Sequence, residues 1–296
     1  MKNKKLIVIN GFQRGGTNIV YNIFQSHPQV CSANDLETGQ ILSQNYRIPS
    51  RKILGYFIKR LKLSLYDLLN KKFILNSFMV SIFGITVDYI FYKYKLKNFY
   101  NKYNRFKYEN ILYSMNEIKG SVLCLKSVNN DIRLTRFLSK IYDDIYFIGL
   151  VRNGYALCES WIRRGKDAKI CGFRYRKFCK MMINDSKEIK NYKIVKFEDV
   201  IKNPFNMATN LYAFTHLKPV NLDKLRFKSK KVLTGNGNHK VKFGRLDEKY
   251  WFDRESLKNL IDPKINEIQT QKLSESDKKV FTIYIKSLLK YFNYKD

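Results

Sequence analysis

Between Gly11 and Asn18 the chain reads Gly-Phe-Gln-Arg-Gly-Gly-Thr-Asn, small residues set around one arginine. Glycines allow backbone N–H groups to converge on an anion, and a turn from strand to helix aims them at it. The glycine spacing is that of the phosphate-cradling loop GxxxxGK[ST], with two differences. Thr17 stands where that pattern has its phosphate-binding Lys, and Asn18 stands where it has the Mg²⁺-binding Ser or Thr. Metal-assisted phosphoryl transfer depends on both. Arg14, inside the loop, offers instead a planar fork that can grip two anionic oxygens.

Other residues that could do chemistry end apolar runs. Lys126 follows Val122 to Leu125, and Arg152 follows Ile145 to Val151, with Ser160 eight positions on. A strand's carboxyl end is where open α/β sheets bind ligands, so Arg152 is a candidate anion ligand. Glu37 and Asp35 lie just after His27-Pro28 and are candidate proton acceptors. His27 precedes the helix-ending proline and reads as structural.

The elements that must hold these residues follow from periodicity. The β-branched run Leu6 to Ile9 predicts a buried first strand, ended by Asn10-Gly11. Ile19, Val20, Ile23 and Phe24 recur at helical spacing over Thr17 to Gln25, before the His-Pro stop. Val122 to Leu125, Ile145 to Val151 and Tyr192 to Phe197 predict further strands; the second is apolar throughout, as a strand covered on both faces is. Helices are predicted over Ile132 to Ile141, Tyr155 to Arg164 and Pro204 to Leu217, the last with Pro in its first turn. Ser274-Glu-Ser-Asp277 resembles a capping box opening a final helix through Phe292. Strands alternating with helices imply parallel βαβ units, a three-layer α/β domain with a mainly parallel central sheet flanked by helices. One domain over residues 1–296 is expected, with a helical or irregular insertion at 51–115.

That insertion is rich in aromatics and lysine. Phe73 to Tyr92 is long enough to cross a bilayer, but it contains Asn76, two serines, a threonine and Asp88. A buried helix, or one capping the active site, is the first expectation, and peripheral membrane contact through 73–92 is the second.

Composition bounds the class. With 45% hydrophobic residues in 296 the chain buries a full-sized core, which excludes intrinsic disorder. The net charge of +31 attracts anions, although the abundance of Lys, Asn, Ile, Tyr and Phe is also what codon bias in a G- and C-poor genome produces. Five scattered cysteines and three distant histidines form no zinc pattern and suit a reducing, cytoplasmic compartment. The apolar run after MKNKK is too short for a signal peptide.

Taken together, three segments resemble the PAPS-dependent sulfotransferase family, whose members take a sulfuryl group from 3′-phosphoadenosine 5′-phosphosulfate (PAPS). GFQRGGTNIVYNIFQSHPQV resembles the family's 5′-phosphosulfate loop and following helix. IYFIGLVRNGYALCESWIRRG resembles its 3′-phosphate motif, with the Arg152 to Ser160 spacing of the family, and YKIVKFEDVIKNPFNMATNLYAFTHL resembles its later E-D segment.

The resemblance implies metal-independent, in-line transfer from PAPS to a hydroxyl or amine, with a carbohydrate as one acceptor class. Arg14 and the backbone of Gly15, Gly16, Thr17 and Asn18 are implied to cradle the phosphosulfate, and Arg152 and Ser160 the 3′-phosphate. Lys126, in CLKSVNND, corresponds to the family's Lys beside the reacting sulfuryl group, with Val128 where the family has Pro. Glu37 corresponds to the catalytic carboxylate of carbohydrate-type members, Asp35 being the near alternative. Phe197 corresponds to an aromatic of the adenine pocket, and Asn238, His239 and Lys240 to a late loop closing over the nucleotide. The acceptor is implied to be a small molecule or saccharide, no nucleic-acid partner is expected, and oligomeric state is left open. The rival readings are a degenerate P-loop kinase or NTPase, opposed by Thr17 and Asn18, and a basic nucleic-acid or membrane-surface binder, opposed by the lack of any recognised nucleic-acid motif.

Overall fold

The computed structural model of the chain describes residues 3–43, 77–228 and 248–294. From the N-terminus, β1 (Leu6–Gly11) runs into α1 (Thr17–Gln25), and β2 (Val30–Glu37) turns directly into the short α2 (Thr38–Ser43). The long α3 (Ser77–Leu96) precedes a small antiparallel pair, β3 (Phe106–Tyr108) and β4 (Ile111–Leu112), and then α4 (Met115–Gly120). Next come β5 (Val122–Val128), a 3₁₀ turn, α5 (Thr135–Ile141) and β6 (Ile145–Val151). After β6 the chain forms α6 (Gly154–Ile162), α7 (Ala168–Glu188), β7 (Tyr192–Lys196), α8 (Phe197–Lys202) and α9 (Pro204–Phe214). The antiparallel pair β8 (Leu225–Lys228) and β9 (Lys249–Phe252) leads into α10 (Arg254–Leu260), α11 (Ile265–Gln271) and α12 (Glu275–Tyr291).

The main sheet has the order β2-β5-β1-β6-β7, and every neighbouring pair is parallel. Alternation of side chains along β1 sets the layers. Leu6 and Val8 pack on one face with α3, α5, α7 and α12, while Ile7 and Ile9 pack on the other with α1, α9 and α10. Each layer of helices therefore has its own core, and the α/β three-layer expectation holds. Because β1 lies between β5 and β6, the loop after it opens at the carboxyl edge of the sheet's centre, the usual ligand position of such folds.

Several boundaries differ from expectation. The first strand extends to Gly11 and the second to Val128, so Lys126 lies inside β5 rather than at its end. Ladder pairing with Ile9 of β1 carries that strand past its apolar run. Tyr192 to Phe197 divides after Lys196, where Phe197 begins α8. The segment around Glu37, for which no strand is predicted, is strand β2, whose polar residues Ser32, Asp35 and Glu37 hide its pairing. Helix α7 was also missed, although Cys171, Tyr175, Phe178 and Met182 form a buried stripe behind the Asp167 cap. The final helix is capped by Ser274, which accepts from the backbone N–H of Asp277 (3.1 Å), the first half of the expected capping box.

Of the stretch 73–92, residues 73–76 lie outside the described region and the rest belongs to α3. This helix is built into the core through Phe83, Val87, Ile90, Phe91 and Tyr94. Its buried Asp88 accepts from the Asn3 side chain (2.8 Å) and the Tyr142 hydroxyl (2.9 Å), which removes the cost of an unpaired buried carboxylate. Among the described residues no helix is long and apolar enough to cross a membrane.

Candidate active site

The loop after β1 is held from behind. Phe12 is fully buried, stacked on Tyr175 (centroids 5.1 Å apart) and edge-on to Trp161 (5.9 Å). Trp161 Nε1 donates to the Gln13 carbonyl (3.0 Å), and Arg152 Nη1 donates to the Arg14 carbonyl (2.8 Å). The Gln13 N–H donates to Asn129 Oδ1 (3.2 Å), and the Gly15 N–H donates back to the Phe12 carbonyl (2.9 Å). Positive φ angles at Arg14 (72°) and Gly16 (90°) turn the chain into α1. A Cβ on Gly16 would collide with the Phe197 ring, so glycine is required there twice over. Gly16 is also the N-cap of α1 and supplies no capping side chain. The first amides of the helix, at Thr17 and Asn18, thus have no intrahelical acceptor and no cap, while two loop carbonyls are drawn toward α6 and Arg152. A helix start in this state favours an anion. Arg14 is exposed beside it; desolvation first, then Arg164 and Arg163, lower its pKa, against the opposite pull of Glu159.

Lys126 reaches this helix start, and Glu37 is its neighbour on the adjacent strand. They are Cα partners across β5 and β2. The Lys126 ammonium donates to Asn18 Oδ1 (2.8 Å) and lies 5.3 Å from the centre of the Tyr21 ring. Asn18 and Tyr21 are one turn apart on α1, so the helix that ends the loop also seats the lysine. Desolvation raises the Glu37 pKa, Lys126 opposes the rise and Asp131 adds to it. A carboxylate so tuned is a better proton acceptor than one in water. Asp35 is committed elsewhere, accepting from Gln25 Nε2 (2.9 Å) and Lys249 Nζ (3.2 Å).

Arg152 is 4% exposed and lies over the Phe197 ring, 4.4 Å from its centre. Besides the Arg14 carbonyl, its guanidinium donates to Asn266 Oδ1 (2.8 Å) and to Gln269 Oε1, both on α11. Burial pulls its pKa down to about 10, chiefly against the pull of Glu198, so it stays charged at neutral pH. Glu198 accepts from the Asn153 N–H (2.9 Å), from Asn266 and from the Tyr294 hydroxyl (2.7 Å). Ser160 is buried in the second turn of α6. Phe197 is a fully buried helix residue packed against the loop, not a strand residue.

The structure thus brings together Arg14, Gly15, Gly16, Thr17, Asn18, Lys126 and Glu37, and ties Arg152 and Phe197 to the rear of the same loop. Asn238, His239 and Lys240 lie outside the described residues. Sequence reasoning missed Trp161, Asn266, Gln269 and Glu198, the residues that anchor the loop and its arginine. Trp161 and Glu198 stood inside the resembling segments, whereas nothing local marks Asn266 or Gln269. Among the described residues no group of three or more His, Cys, Asp or Glu is placed to hold a metal ion.

The family model of the sulfotransferase family matches residues 7–220. The chain is a sulfotransferase-family member. The site above lies within the matched span, apart from Lys249, the α11 anchors and Tyr294, and family membership makes its chemistry the transfer of a sulfuryl group to an acceptor. Among solved structures the chain is similar to the sulfotransferase domain of the Synechococcus PCC 7002 olefin synthase, at 15% identity and a TM-score of 0.48, covering 99% of this chain and 96% of that one. It is also similar to the sulfotransferase domain from the curacin biosynthetic pathway (12% identity, TM-score 0.45, 98% of each chain). Sulfotransferase STF1 of Mycobacterium tuberculosis H37Rv is similar at 11% identity and a TM-score of 0.41, covering 74% of this chain and 69% of that one. No curated protein matches the chain.

Proposed function

We propose that this sulfotransferase takes its sulfuryl group from PAPS and delivers it, without a metal, to a hydroxyl or amine, with a carbohydrate as the favoured acceptor class. The observation that carries this reading is Lys126, bonded to Asn18 at the uncapped start of α1 and paired across adjacent strands with Glu37. The Thr17 and Asn18 amides and Arg14 hold the phosphosulfate. The acceptor oxygen or nitrogen forms its bond to sulfur as the bond from sulfur to the bridging phosphate oxygen breaks. Glu37 accepts the acceptor's proton, and the Lys126 ammonium stabilises the electron pair left on the bridging oxygen. The leaving product is 3′-phosphoadenosine 5′-phosphate (PAP), and in-line geometry needs no covalent enzyme intermediate.

Arg152 and Ser160 serve the 3′-phosphate. Each terminal nitrogen of the guanidinium has two N–H groups, so those used on the Arg14 carbonyl and Gln269 leave a second on each for a phosphate oxygen. Support for a carbohydrate acceptor is the basic rim of Arg14, Arg163 and Arg164 together with the carboxylate base. Incubation with ³⁵S-labelled PAPS and a panel of saccharides, phenols and amines in EDTA tests the proposal. Label transfer in EDTA is expected. An absolute requirement for Mg²⁺, or turnover of ATP in place of PAPS, would overturn it.

A further inference from the structure

We infer that Lys249 is a positioning residue for sulfuryl transfer, holding Asp35 so that the next rung of β2 sets Glu37 against Lys126. This rests on the reading of Glu37 as the base. β2 pairs regularly with β5 as far as Ser32 and rejoins it only at Glu37. Within the break, Asp35 has a φ of 62°, a left-handed conformation that Asp enters more readily than most L-residues and that its side-chain partners fix in place.

The hold comes from two elements distant in sequence. Asp35 Oδ1 accepts from Gln25 Nε2 at the end of α1 (2.9 Å) and from Lys249 Nζ at the start of β9 (3.2 Å). The Lys249 side chain is 1% exposed. Its ammonium also donates to Gln25 Oε1 (2.7 Å) and to Asn104 Oδ1, so one buried cation joins α1, β2 and the turn before β3. A charge enclosed this far keeps its place only with a counter-charge and hydrogen bonds, and Asp35 supplies a carboxylate 3.2 Å from it. On the other side of Glu37 the chain is fixed as well. Thr38 Oγ1 donates to the Lys126 carbonyl (3.2 Å), and the Gly39 N–H donates to Asp131 Oδ2 (2.7 Å). Glu37 is therefore a two-sided mount, with the Lys249–Asp35 pair forming its upstream side. The β8–β9 pair has other anchors: the Arg226 N–H donates to Ser26 Oγ (2.8 Å), its Nη1 to the Phe106 carbonyl (2.7 Å), and Leu225 and Phe227 are fully buried. Removing the Lys249 charge leaves those in place.

The test is kinetic, on the full chain with ³⁵S-labelled PAPS and whichever acceptor the panel identifies. Lys249→Met is expected to lower kcat about 10–100-fold, the range for losing a residue that orients a reacting group, with PAP affinity within about twofold of the parent. The acid limb of the kcat profile, set by Glu37 facing Lys126 and Asp131, is expected to shift. In a Glu37→Gln background the Lys249→Met change is expected to cost nothing further. Asp35→Asn, which keeps the side-chain shape and removes only the charge, gives the same readout if Lys249→Met fails to fold. An unchanged kcat in a folded variant, or a Lys249→Met loss that multiplies with the Glu37→Gln loss, overturns the inference. A Glu37→Gln variant of full activity refutes instead the assignment of the base.

Discussion

Glu37 and Lys126 are Cα partners across β2 and β5, although five steps along one strand, Ser32 to Glu37, answer two along the other, Cys124 to Lys126. The irregularity sets Glu37 beside Lys126, whose ammonium is bonded to Asn18 at the start of α1. Neither position is explained by its own strand: β2 must break, and β5 must run past its apolar stretch, for the two to meet.

The pH dependence follows from that pair. In its proposed role Glu37 accepts a proton and must be deprotonated; burial holds its pKa above the ordinary carboxylate value, so kcat/KM is expected to rise with pH through the raised pKa. Lys126 lowers that pKa, so Lys126→Met moves the limb to higher pH; Asp131 raises it, so Asp131→Asn moves the limb to lower pH. Loss of the leaving-group cation should also reduce kcat about 10²–10³-fold, and Glu37→Gln about 10²–10⁴-fold. Rate profiles between acid and neutral pH check both signs; a limb that stays fixed in Lys126→Met refutes the coupling.

Arg152 joins the loop to α11 and is proposed to read the 3′-phosphate. Arg152→Lys keeps the charge but loses the Nε donor to Asn266 and the planar fork. PAP binding should weaken about 10–100-fold, the scale of one or two charge-assisted hydrogen bonds. AMP, without the 3′-phosphate, should lose much less. Titration calorimetry with the two nucleotides measures the difference, and equal losses would confine Arg152 to holding the loop.

Gly16→Ala places a Cβ against Phe197 at a φ of 90°. The backbone strain alone costs about 1–3 kcal/mol. Denaturant melts should show that loss, and PAP binding should weaken at least about tenfold as the α1 amides shift. Unaltered binding by a folded variant would mean that those amides do not hold the nucleotide.

Ser274→Ala removes the cap of α12, whose Phe281 and Ile285 pack in the core that also holds Phe12. A cost of about 1 kcal/mol is expected in urea denaturation, with PAP affinity unchanged. A variant as stable as the parent would show that the capping bond contributes nothing net.

What the amino-acid order determined by itself is local. Gly16 takes the φ of 90° at the entry to α1 because glycine permits it, α1 begins and ends where the sequence predicts, and the apolar run Ile145 to Val151 is a strand with Arg152 just beyond it. These depend on neighbouring residues, whose preferences are visible in a short window. The tertiary structure alone decided that a polar segment became β2, that Lys126 lies inside β5, and that Arg152 is gripped by Asn266 and Gln269, 114 and 117 residues away. The physical reason is that strand pairing and buried hydrogen bonds are satisfied by partners from anywhere in the chain. A polar edge strand and a buried arginine take their meaning from those distant partners, and no local pattern records them.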